Sequence, residues 1–113
     1  MKPTFLYTFA VGLFVFGGSA RAELNAVAGC QNGRVFIMNK DSAPWLDPKI
    51  EVNGTYVFEG DAIPRWTTLR YLPGIFTKSD GTRLDLTTTA CKTIDIHATI
   101  NGKREHWNGA YSK

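Results

Sequence analysis

The sequence predicts a small all-β protein, an antiparallel β-sandwich of about seven short strands; a small β-barrel is the alternative closure of the same strands. Three observations carry this. After Glu23 no window shows a 3.6-residue apolar period, whereas several stretches alternate apolar and polar residues. Turn signals built on Asn, Gly, Pro and Asp recur roughly every 8 to 15 residues. Two cysteines, Cys30 and Cys91, stand far apart in a chain that opens with an export signal, as expected of one disulfide stapling a small domain.

The export signal occupies residues 1–22. Lys2 supplies a positive start, "FLYTFAVGLFVFGG" an apolar run of about 15 residues, and "ARA" the small residues at −3 and −1 that a signal peptidase reads. That run is short for a membrane span, which needs roughly 20 residues. Cleavage before Glu23 leaves a single β domain, 23–113. "VAGC" at Val27–Cys30 has the form of a lipobox, so a lipid anchor on Cys30 competes with the disulfide. Arg21, Glu23 and Asn25 separate it from the apolar run, however, and charges there oppose that processing. A Cys30–Cys91 bridge would close a loop of about 60 residues, worth roughly 4 kcal/mol by chain entropy.

Charge is less informative than it looks. Lys2 and Arg21 belong to the leader, so the mature chain carries 11 basic against 10 acidic residues. The signs are interspersed, and no basic run would track a phosphate backbone. Nucleic acid is not an expected partner, nor is a stable membrane span in the mature chain.

The strands follow in order. Asn32-Gly33 introduces "RVFIMN" (34–39), read as the first strand. "KDSAPWLDP" (40–48) reads as a loop because Pro44 and Pro48 interrupt pairing. Ile50 and Val52, then Tyr56 and Phe58, alternate around Asn53-Gly54, predicting a type I′ hairpin. The same Asn-Gly accounts for the glycosylation sequon Asn53-Gly54-Thr55. "WTTLRYL" (66–72) is a strand after Pro64, and "IFTKSDGTRLDL" (75–86) a hairpin about Ser79-Asp80-Gly81. The last pair, 93–109, turns at Asn101-Gly102. A two-residue turn there sets Thr99 against Arg104, His97 against His106, Ile96 against Trp107 and Asp95 against Asn108. Ile94, Ile96, Ala98, Ile100 and Trp107 then share an apolar face. Slipping by one residue would bury charge.

The order Cys30, Trp45, Cys91 resembles the immunoglobulin pattern of a cysteine, a core tryptophan and a second cysteine bridging two sheets, and "FTKSDGTRLDL" is similar to strand pairs of small secreted bacterial proteins of immunoglobulin-like type. The resemblance implies an immunoglobulin-like sandwich and brings no activity with it. Two positions depart from the pattern: Thr89 stands where a corner tyrosine is expected, and Trp45 lies between two prolines.

Candidate chemistry is sparse. Opposed histidines have Cβ atoms about 5 Å apart, so His97, His106 and Asp95 could share a Zn²⁺, Cu²⁺ or Ni²⁺ ion or sense pH. Neither Ser42 nor Ser79 lies in a nucleophile elbow, and the pairs Glu59/Asp61 and Asp80/Asp85 lie near turns. No cofactor or enzymatic activity is expected. Phe36, Tyr56 or Phe58, Phe76 and Trp107 are expected to fill the core. Trp45, Trp66 and Tyr71, with Arg65 and Arg70 beside the latter two, are read as edge or loop residues of the kind that interfaces use. The expectation is therefore an exported, periplasmic or extracellular bacterial binding module that contacts a protein or glycan through edge strands and loop aromatics. The alternatives are a metal-binding protein using the histidine pair and a structural subunit of an envelope assembly.

Overall fold

A computed structural model of the chain describes residues 23–110; the expected leader lies outside them. Seven strands run in order: β1 (Ala26–Gln31), β2 (Arg34–Asn39), β3 (Leu46–Val52), β4 (Tyr56–Glu59), β5 (Thr68–Tyr71), β6 (Thr93–Ile100) and β7 (Lys103–Ala110). They make two antiparallel sheets, β1-β2-β5 and β4-β3-β6-β7, the sandwich that the sequence predicts. In the constant-type immunoglobulin order the fourth strand lies at the edge of the first sheet, beside the fifth. Here it pairs with β3 instead, which leaves β5 as an edge.

Three hairpins fix the local geometry, each turning on Asn-Gly with both residues at positive φ: Asn32 and Gly33, Asn53 and Gly54, Asn101 and Gly102. The first joins β1 to β2, so 34–39 is the second strand and not the first. β1 reads "AVAGCQ", too poor in β-branched and aromatic residues to declare itself. At the second turn Val52 pairs with Tyr56, so Thr55 adds a residue to the expected two-residue loop. The third hairpin has the predicted register at all four pairs, His97 against His106 included.

The segment 40–48 is only partly a loop. β3 begins at Leu46 and passes through a bulge, where the register shifts between Leu46 and Lys49 and Asp47 takes φ 48°. The bulge accommodates Pro48 inside a central strand, since the proline falls where the ladder is already interrupted. The 75–86 hairpin is likewise reduced to single bridges, Thr77 with Arg83 and Thr77 with Val57. Through the second, Thr77 caps the outer edge of β4.

Alternate residues of the inner strands meet between the sheets: Val35 and Ile37, Ile50 and Val52, Ile94, Ile96 and Ala98 are all buried, with Phe76 and Leu84 from the connecting segment. Phe36, expected in the core, stands on the opposite side of β2 with Met38. Both faces of this strand are apolar in sequence, and the neighbouring strands decide which is covered. Cys30 and Cys91 are bonded, with Cα atoms 6.3 Å apart, tying β1 to the residues just before β6. The family pattern would place the first cysteine on the second strand. The bond also occupies the sulfur that a lipid anchor would need.

Candidate binding surface at the β4–β5 loop and the β5 edge

Of the five residues singled out for contact, Trp45 does not belong to the surface. It is fully buried at the mouth of β3, its backbone paired in both directions with Ile63. Its indole Nε1 donates to Asp41 Oδ2 at 2.9 Å. That single polar handle is satisfied, so the large apolar ring can be buried at no hydrogen-bonding loss. The prolines around it, read as loop markers, do not prevent this, because the bulge lets the chain enter the sandwich through them.

The other four lie on the chain that follows Ile63. Arg65, Trp66 and Arg70 are exposed, and Trp66 is 63% accessible, the most exposed of the large apolar residues. It also takes φ 55°, a conformation that costs a bulky residue free energy. Behind it the loop is held firmly. Asn39, fully buried at the end of β2, directs its Nδ2 to the carbonyls of Ala43, Ile63 and Pro64 at 3.1, 3.1 and 3.2 Å. Its Oδ1 accepts from the Asp41 N–H at 2.8 Å. Thr67 Oγ1 donates to the Arg65 carbonyl at 3.0 Å. A buried amide thus satisfies the backbone of two adjacent loops at once, and the Trp66 turn projects from a fixed base.

Tyr71 is half-buried. Its ring packs against Phe58 and Phe76, with centroids 5.3 and 6.1 Å away. Burial, reinforced by the charge of Asp61, pushes its hydroxyl up to about 12. It is a wall of the core more than a contact residue. The sequence reading missed Leu72, 57% exposed at the far end of β5. Trp66, Thr68, Arg70 and Leu72 therefore occupy alternate positions along one edge segment.

The histidine pair is brought together as predicted. The rings stack, 4.5 Å between centroids and 25° between planes. Asp95 Oδ1 lies 3.3 Å from His106 Nε2 and also accepts from Asn108 Nδ2, so the carboxylate is engaged on β7. Among the described residues no three His, Cys, Asp or Glu side chains converge to hold a metal ion. Partial burial, and then the charge of His106, hold the His97 imidazole below its ordinary value of 6.5. On the same outer face Lys49 pairs with Glu51 at 3.5 Å.

Of the carboxylates considered for catalysis, Asp80 and Asp85 are turn caps. Asp80 accepts from the Thr82 N–H, and Asp85 from the Thr87 N–H and hydroxyl, at 2.9, 3.0 and 2.6 Å. These bonds favour the charged form and lower both carboxyls, the opposite of what a general acid needs. A groove of about 730 Å³ beside the disulfide is lined by residues such as Gln31, Leu86, Thr87 and Thr89, without a titrating side chain. Asn53, of the sequon, has its amide occupied: Nδ2 donates to the Ala90 carbonyl and Oδ1 accepts from the Lys92 N–H, each at 2.7 Å. None of the described helical segments is long and apolar enough to cross a membrane. The chain matches no family model, no curated protein and no solved structure.

Proposed function

We propose that this chain is a non-enzymatic binding module that works after export, in the periplasm or outside the cell, and contacts a protein partner through the β4–β5 loop and the neighbouring edge of β5. The observation that carries the reading is Trp66: a large aromatic side chain, mostly exposed, on a backbone turn that is costly for it and braced from behind by Asn39. Strain kept at an exposed aromatic, with Arg65 beside it and Arg70 on the following strand, is the combination found at interface anchors. The disulfide supports an oxidising compartment.

The test is site-specific photocrosslinking in the organism's own envelope fraction. Trp66→p-benzoylphenylalanine should give one discrete adduct on irradiation, lost when Arg65→Ala is added. The same probe at Lys103, exposed on β7, should give none. Equal labelling at both positions, or no adduct at position 66, rejects the assignment.

A further inference from the structure

Among the described residues, two of the four sheet edges carry a backbone attachment. The β4 edge is bonded to Thr77 through Val57 in both directions, at 2.9 and 3.1 Å. The β7 edge receives the Leu24 N–H at the His106 carbonyl, 3.2 Å away. β1 is joined to Cys91 through a side chain, by the disulfide. The β5 edge is left without a paired strand, because the strand that would cover it in the constant-type order has joined the other sheet.

The backbone phase along β5 is fixed by one bond. The Asn39 N–H donates to the Thr67 carbonyl, so Thr67, Leu69 and Tyr71 address β2. Thr68 and Arg70 therefore turn their N–H and C=O groups outward. Among the described residues no neighbouring segment supplies them a backbone hydrogen bond. An unpaired row of this kind is a template for another strand.

Side chains specify what that strand would be. On the outer face of this sheet the outward positions include Arg34, Phe36, Met38, Thr68 and Arg70, and no carboxylate is among them. The loop adds one cation, Arg65, and one anion, Asp61. A strand laid beside β5 would place one set of its side chains next to Trp66, Arg70 and Leu72. The other set would face inward, toward Leu69 and Tyr71. Acidic residues suit the first set and apolar residues the second. A second copy of this chain fits less well: edge-to-edge pairing would bring two Arg70 side chains onto one face within a residue or two of each other, and like charges oppose it.

From this geometry we infer that β5 takes up an extended segment of the partner, alternating acidic and apolar residues, as an added strand of the three-stranded sheet. This rests on the binding reading above and supplies its mode and the partner's chemistry.

The test uses the mature chain, residues 23–113, with its disulfide intact and two blocked octapeptides, (Val-Glu)₄ and (Val-Lys)₄, followed by amide NMR and hydrogen exchange. The glutamate peptide is expected to shift and protect the Thr68 and Arg70 amides, and the lysine peptide to leave them unchanged. Thr68→Pro removes an outward N–H without touching the bonds to β2, and the edge position tolerates it. It should weaken glutamate-peptide binding about tenfold or more. Arg70→Glu should reverse the preference toward the lysine peptide.

Perturbation confined to Arg65 and Trp66, with the Thr68 and Arg70 amides unprotected, overturns strand addition and leaves the loop reading standing. No perturbation at any of the four sinks both. Equal binding of the two peptides removes the acidic specification. Concentration-dependent protection of the same amides without peptide, with dimer seen by sedimentation, makes the occupant a second copy and overturns the proposal.

Discussion

Trp45 and Trp66 lie on either side of Ile63, on two loops joined by one buried asparagine, and they end in opposite environments. Trp45 is sealed in the core with its indole N–H on Asp41. Trp66 stands mostly in solvent on a left-handed turn. The same side chain carries stability at one site and accessible surface at the other. What separates them is backbone: a bulged strand draws Trp45 inward, while a positive φ turns Trp66 out. Composition alone could not sort them, since aromatic residues serve cores and interfaces equally well.

The largest expected effect tests the buried member. Trp45→Ala should cost about 3–5 kcal/mol in urea unfolding, through the cavity it leaves and the hydrogen bond to Asp41 it removes. Trp66→Ala should change stability by no more than about 0.5 kcal/mol. Similar losses at the two positions would erase the contrast and place Trp66 in the fold's own packing. The intermediate effect lies at the hinge between them. Asn39→Ala removes the donor to Ala43, Ile63 and Pro64 and the acceptor of the Asp41 N–H, and should cost about 1–3 kcal/mol. It should also speed amide exchange at Arg65 and Trp66, whereas unchanged exchange would mean that the loop is held by something else.

The smallest effect carries an unusual sign. A left-handed conformation costs an L-residue roughly 1–2 kcal/mol, and glycine returns part of that through unfolded-state entropy of about 0.5–1 kcal/mol. Trp66→Gly should therefore leave the protein as stable or up to about 1 kcal/mol more stable, while abolishing the crosslink partner's grip. A clear loss of stability would show that the exposed ring contributes to folding.

Much of the sandwich was legible where local chemistry is strong. The β6–β7 hairpin could be registered residue by residue because Asn101-Gly102 sets the turn and a one-residue slip would bury Asp95 and Arg104. β1 was not legible, since "AVAGCQ" gains its strand conformation from pairing with β2 more than from its own side chains. Phe36 was assigned to the wrong side because β2 has apolar residues on both. Pro48 argued against a strand because a bulge is a tertiary accommodation that composition does not announce. At the candidate site, Arg65, Trp66 and Arg70 could be picked out from type and position. Trp45 could not be set apart from them, nor could Asn39 be noticed, because both roles depend on contacts across the β2–β3 and β4–β5 loops.

The three Asn-Gly turns also bear on how the chain reaches this state. Each closes a hairpin between sequence neighbours, and such pieces form on the microsecond scale. The pairings that make a sandwich of them are long-range: β2 must find β5, joining Val35 to Tyr71, and β3 must find β6, joining Ile50 to Ile96. Those searches set the pace of folding, as in other proteins dominated by non-local contacts. Until β5 docks, β2 also presents an open edge, so the folding chain passes through a stage in which its first sheet can take up a stray strand.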